Sequence, residues 1–185
     1  MTDPLAVPAP ASHDPRVPTG TLERSAAALF EAMLAARDAE ARGEAEPPRA
    51  FYRALMSSTL LLPVPPGTQD EARTSLAAAV SDQDEVEIGV MLARDRFGDP
   101  VSVLFASGAS LAAWSPTGTG SIALPARVVF GNLAASGLPA ILDPAGPVPY
   151  RFEPDELRAL VAGRIPGTDE PIDEPAQVAD ESSAP

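Results

Sequence analysis

Apolar and polar positions alternate most regularly in the middle of the chain. Val86, Ile88, Val90 and Leu92 alternate with Glu87, Gly89, Met91 and Ala93. Period two with β-branched residues predicts a strand with one buried face. Arg94, Asp95 and Arg96 keep the following turn wet, and Gly98-Asp99-Pro100 breaks the chain. Proline has no N–H to give a central ladder, so a second strand starts after Pro100. Val101, Ser102, Val103, Leu104 and Phe105 form a nearly continuous apolar run, as a doubly buried strand requires. Ser107 is placed to cap a short helix carrying Leu111 and Trp114 on one face.

The pattern changes to helical spacing on either side. From Leu22 to about Arg42, Leu22, Ala26, Leu29, Phe30, Met33 and Leu34 form one stripe. Glu23 is expected in the first turn, where the helix dipole favours an anion. The charged run Arg37 to Glu46, broken by Gly43, reads as a solvated end. Pro47-Pro48 precedes a short helix, Arg49 to Ser57, with Phe51 and Leu55 inward and Tyr52 and Met56 at its flank. Thr59 to Leu62 reads as a strand stopped by Pro63. Glu71 to Val80 offers a helical turn or two, followed by an acidic loop. Ile122 to Leu124 is a short strand. Pro125 opens a helix over 126–136, with Val128, Val129 and Leu133 inward and Gly137 as its stop. Ala140 to Leu142 and Val148 to Phe152 are further strands, the second edge-like because of its prolines. Pro154-Asp155-Glu156 starts a last helix bearing Leu157, Leu160 and Val161, with Gly163 after it.

These pieces predict one α/β (α+β) domain, a mixed sheet of about five strands packed with helices 22–42 and 126–136. The expected core is Leu29, Phe30, Met33, Leu55, Leu61, Ile88, Val90, Val103, Phe105, Leu111, Val129, Ile141, Leu157 and Leu160. At 185 residues, with 22 prolines gathered toward the ends, one ordered domain over 19–163 is expected. Residues 1–18, with five prolines and no apolar period, and residues 164–185, acidic and Pro-rich, read as disordered tails.

Charge and missing residue types narrow the function. A net charge of −13 opposes nucleic acid, which needs a basic stripe, and opposes anionic membranes. The start, MTDPLAVPAP, lacks the basic and apolar regions of a signal peptide, and no apolar run approaches the ~20 residues of a spanning helix. The cytoplasm is the expected location. There is no Cys, and all 13 basic residues are Arg, which a GC-rich coding bias explains. Thiolate chemistry, Cys-ligated zinc, Schiff-base lysine and the P-loop lysine are therefore excluded. The one histidine, His13, lies in the Pro-rich tail, away from any triad.

The remaining constellations read as structure. Asp82, Asp84 and Glu87 resemble the front of a calcium loop, but its sixth and twelfth positions are Glu87 and Ala93 instead of Gly and Glu. Gly118-Thr119-Gly120 lacks the strand-to-helix context of a phosphate loop. Glu153, Asp155 and Glu156 fall in a first helical turn, where acids are favoured anyway. No catalytic, cofactor-binding or metal-ligating residue is assigned, and no cofactor is expected. The aromatic candidates for an interface are Trp114, Phe97 and Tyr150.

The order of pieces is itself informative. A helix, then FYRALMSSTLLLPVP, then a hairpin ending in VSVLFAS, then LPAILDP and a closing PDELRAL helix, resembles the N-terminal domain of the SseB family, named for enhanced serine sensitivity. The resemblance spans roughly residues 22–162 and is carried by Phe51, Leu55, Leu61, Pro63, Phe105-Ala106-Ser107 and Ile141-Leu142-Asp143-Pro144. The family more often has Phe-Thr-Ser and Asn-Pro, so Ala106 and Asp143 depart from it. It implies an SseB-like α/β domain and no established activity or catalytic residues. The expected function is a non-enzymatic protein-interaction or regulatory module with an unidentified protein partner, acting through a sheet edge or the Trp114 loop. A homodimer and a docking role for the acidic tail stay open. The alternative is a small-ligand-binding domain, or an unusual hydrolase confined to Asp/Glu, Arg, Ser and Tyr. It would require convergent polar groups, such as Arg127 or Arg151 facing Asp143.

Overall fold

The computed structural model describes residues 19–44, 49–65, 67–71 and 91–173. Helix α1 (Thr19–Ala41) carries Leu22, Leu29, Met33 and Ala36 along its buried stripe. It begins three residues earlier than its apolar stripe suggests, so Glu23 lies beyond the first turn. Its end is a Schellman turn. Gly43 takes φ 80°, its N–H reaches Glu40 O at 2.9 Å, and Glu44 N–H reaches Ala39 O at 3.1 Å. Helix α2 (Arg49–Met56) buries Phe51, Tyr52, Leu55 and Met56.

Strand β1 (Thr59–Val64) pairs antiparallel with β4 (Gly120–Pro125). It runs through Pro63 instead of stopping there, and the ladder explains why. Leu61 N–H and C=O both bond Phe105, at 2.8 and 3.0 Å, so the odd residues of β1 turn their backbone away from β4. The missing Pro63 N–H therefore costs the β1–β4 ladder nothing.

The second sheet has the order β2 (Leu92–Arg94), β3 (Pro100–Leu104), β5 (Ala140–Leu142), β6 (Tyr150–Phe152). Only β3 and β5 run parallel. The chain between them passes through α3 (Gly108–Trp114), β4 and α4 (Ala126–Ser136), as a parallel pairing requires a long crossover. Ser102 N–H and Leu104 C=O face β5, whereas the Phe105 pair faces β1. Strand β1 thus takes over the edge of β3 where β2 leaves it. The mixed sheet expected from the sequence is present as six strands in two sheets, joined by this bridge.

Alternation sorts the side chains into two cores. Leu104, Ala140, Leu142 and Phe152 enter the main core with α1, α2, α4 and α5 (Pro154–Val161). Val103 and Phe105 face the other way, into a small core with Leu22, Leu61 and Leu111. Phe30 and Ile141, expected in the core, are only half-buried, and Ile88 and Val90 lie outside the described residues. Ser102 is 1% exposed and its hydroxyl has no hydrogen-bond partner among the described residues. A buried hydroxyl without a partner costs free energy, so Ser102→Ala is expected to raise stability by about 1 kcal/mol in a urea melt.

The chain does not leave the fold at Gly163. Residues 164–173 turn back as a strap, correcting the expectation of disorder from Arg164 onward. Ile165 is 5% and Ile172 1% exposed, and Ile172 N–H returns to Gly163 O at 2.9 Å. Arg53 Nε donates to Ile172 O at 3.0 Å, Arg127 pairs with Asp173 at 3.0 Å, and Arg49 pairs with Glu170.

Candidate functional site

Two of the sequence segments quoted above, Phe105-Ala106-Ser107 and Ile141-Leu142-Asp143-Pro144, meet in space at the ends of the parallel strands. Asp143 is buried, and its Oδ1 accepts the buried Ala106 N–H at 3.0 Å. Its own N–H reaches Leu104 O at 2.9 Å, and Gly146 N–H closes the turn on Asp143 O at 2.8 Å. Asp143 takes φ 50°, a conformation that Asp and Asn accept more readily than most side chains. Burial pushes its carboxyl above the usual range, against hydrogen bonds from Ala106 and Ser110. Beside it Ser107 caps α3, its Oγ accepting Ser110 N–H at 3.1 Å. This clip fixes the strand ends, and its groups are spent on one another.

A groove of about 630 Å³ lies elsewhere, between the C-terminal half of α1 and the β5–β6 connection. Met33, Ala36, Arg37 and Glu40 line it from α1, at spacings that share one helix face, and Glu44 joins them from the turn that ends the helix. Pro147, Val148, Pro149, Tyr150 and Arg151 form the opposite wall, with Glu156 reaching in from α5. Arg37 Nη1 spans the groove to Pro147 O at 3.2 Å. The volume is in the range of small-molecule and peptide-anchor sites, ~300–1,000 Å³.

The floor is aromatic. The Tyr150 ring sits 4.9 Å from Phe51 and 4.7 Å from Phe152. Burial pushes the Tyr150 phenol up, and Tyr52 and the acids Glu156 and Glu40 push it the same way. The phenol stays protonated and serves as a hydrogen-bonding group, not a base. Burial also raises the Glu156 carboxyl, whose Oε2 accepts Glu153 N–H at 2.7 Å in a capping box. The sequence reading of Glu153, Asp155 and Glu156 as a helix start therefore holds, while Glu156 also faces the groove.

The three aromatic candidates are dispersed. Tyr150 belongs to the groove. Trp114 is half-buried and packs on Phe105, ring centroids 5.3 Å apart, as part of the small core. Phe97 is 74% exposed at the β2–β3 turn, under the Arg96 guanidinium at 4.7 Å. That turn is rigidly built. Asp95 Oδ1 accepts Phe97 N–H at 2.9 Å and Asp99 N–H at 3.0 Å, and Oδ2 takes Arg151 at 3.0 Å. Burial alone would raise the Asp95 carboxyl, but the backbone N–H of Phe97, Arg151 and the N–H of Asp99 outweigh it and hold it low.

The convergence of Arg127 or Arg151 on Asp143 is not seen. Arg127 pairs with Asp173, and Arg151 pairs with Asp95 and Glu153. Gly118 forms a turn closed by its N–H on Ser115 O at 2.9 Å, and a Cβ on Gly120 would strike the Gln69 side chain at 2.6 Å. The calcium-like acids and His13 lie outside the described residues. Among the described residues no group of three or more His, Cys, Asp or Glu is placed to hold a metal ion, and no helix is long and apolar enough to cross a membrane. The wall made by Arg37, Glu40 and Glu44 was not foreseeable, because its opposite side lies over 100 residues away. The only local hint is Pro147 and Pro149, which hold that side extended.

No curated protein and no solved structure matches the chain. The SseB protein N-terminal domain matches residues 30–159, more than two thirds of the sequence and most of both cores. With the clip joining its two strand-end segments and the order of elements around it, the chain belongs to the SseB family through that domain.

Proposed function

We propose that this SseB-family domain is a non-enzymatic binding module, acting in the cytoplasm on a protein partner, and that its recognition surface is the α1/β6 groove. The observation that carries this reading is the groove itself: an aromatic and aliphatic floor rimmed by charged side chains from three elements. The state of its polar groups supports binding over catalysis. Arg37 is held by a carbonyl, Arg151 by two carboxylates, Glu44 by Arg42, and Tyr150 is kept protonated. Groups fixed in this way recognise shape and charge without needing to exchange protons. The volume also favours a second reading, a small-ligand site in the same place.

A photoreactive benzoylphenylalanine at Glu44 tests the first reading; amine-directed cross-linkers are poorly suited to a chain without lysine. The control position is Glu31, on α1 but outside the groove. A single mass-shifted adduct from the Glu44 position, absent from the Glu31 position, supports the groove. Equal labelling at both positions, or none, rejects it.

A further inference from the structure

The cations and anions of the groove differ in how far they are already satisfied. Arg151 places Nη1 on Asp95 and Nε on Glu153, and Arg37 donates to Pro147 O. The Glu44 carboxylate is taken by Arg42. Glu156 spends one oxygen on Glu153 N–H and meets no cation among the described residues. Glu40 has no polar partner among the described residues, although it faces the same space. Glu40 from α1, Glu156 from α5 and Tyr150 all line the groove, so the two acids share it with the phenol. Among the described residues the groove thus presents two carboxylates without a paired cation beside an aromatic ring, above an aliphatic wall of Met33, Ala36 and Val148.

We propose that the groove receives an arginine or lysine side chain from an extended basic segment of the partner protein. This rests on the groove being the recognition surface and names the chemistry of what enters it. The stem of such a side chain is apolar and suits Met33, Ala36 and Val148, while its head needs anions and tolerates an aromatic face. Glu40 and Glu156 supply the anions and Tyr150 the ring. Glu156 is half-buried, and a carboxylate partly stripped of water gains more from a cation than one in bulk solvent; Glu40 is exposed and adds its charge at the rim. The whole chain, at −13, adds a long-range field that draws a basic segment in and repels an acidic one. An acidic occupant would face two carboxylates that lack a paired cation among the described residues, while the guanidinium groups of Arg37 and Arg151 are already engaged.

The test uses the full chain and three fluorescein-labelled pentapeptides alternating Ala with Arg, Gln or Glu. Binding is read by anisotropy at low and physiological salt, and located by amide chemical shifts. The Arg peptide is expected to bind, more weakly as salt rises, with shifts at residues 36–44 and 147–151. The double variant Glu40→Gln/Glu156→Gln keeps the capping geometry of α5 and is expected to weaken binding about tenfold or more, the ~1.4 kcal/mol or more of losing close charge pairs. The control Glu23→Gln/Glu31→Gln removes the same two negative charges from α1 outside the groove, and should change affinity less than twofold on the scale of screened surface charges.

Equal losses in the Glu23→Gln/Glu31→Gln control and in Glu40→Gln/Glu156→Gln would show diffuse attraction to an acidic surface and overturn the proposal. Binding of the Gln or Glu peptide in preference to the Arg peptide, with shifts in the groove, would overturn the cationic occupant while leaving the groove reading standing. Arg-peptide shifts confined to the Phe97 turn or to α4 would overturn both. Concentration-dependent shifts in the groove without any peptide would identify a second copy as the occupant and overturn the basic partner segment while leaving the groove as the recognition surface.

Discussion

Ending the chain after Gly163 is expected to destabilise the protein by about 3–6 kcal/mol, the largest single effect we anticipate, from burial of two isoleucine side chains at ~1.5–3 kcal/mol each. Ile165 and Ile172 are 5% and 1% exposed, and the truncation removes both. It also takes away the carbonyl that receives Arg53 Nε. The ion pairs of Arg49 with Glu170 and Arg127 with Asp173 add little, since their acids are mostly exposed and water screens them. A loss of this size is a large part of a domain's total of roughly 5–15 kcal/mol. Because the truncation removes so much of that total at once, Ile172→Ala provides the graded measurement, with an expected cost of about 2–5 kcal/mol. Urea melts followed by circular dichroism check both. An unchanged midpoint for Ile172→Ala would mean that the strap rests on the domain without supporting it.

The second large effect is expected at the clip. Asp143→Ala should cost about 2–4 kcal/mol: ~1–3 for leaving the buried Ala106 N–H without an acceptor, and ~1 for placing alanine in a left-handed conformation. Asp143→Asn keeps an acceptor oxygen and a residue tolerant of φ 50°, and should remain within about 1 kcal/mol of the parent. The two variants separate geometry from charge. The carboxyl is raised above its ordinary value, chiefly by burial, so the folded state holds the proton more tightly than the unfolded state. This group's contribution to stability therefore falls as pH rises from the unfolded carboxyl value through the folded one, and levels off above it. Asp143→Asn should flatten that decline and shift relative stability in favour of the variant above the folded value. Melts of both chains across the acid range check the sign. A steeper decline in the variant would show that Asp143 is stabilised as the anion.

Much of this architecture could be read from the residues in order. Helix 126–136, its Gly137 stop at φ 67°, the Ser107 cap and the strand Ala140–Leu142 all sit where local pattern put them. Each depends on forces acting within a turn or two: a hydroxyl reaching an N–H, a glycine accepting positive φ, an apolar face of fixed period. The strand through Pro63 was misread because proline's cost depends on which way its nitrogen faces, and that is set by the partner strands. The sequence favours Trp114 as a core residue and makes it an interface candidate only if exposed; it is half-buried against Phe105. The strap was read as a tail because its composition is acidic and Pro-rich, and two isoleucines among such residues give no period to detect.

The sequence by itself determined the kinds of elements, their order, the family likeness and the chemistry this chain lacks, because those follow from composition and from contacts between near neighbours. The tertiary structure alone decided that Glu40, Tyr150 and Glu156 share one groove, that Asp143 closes on Ala106, and that residues 164–173 complete the core. Those outcomes depend on surfaces brought together across 37 to more than 100 positions, where the energy of burial acts between partners that no local pattern can pair.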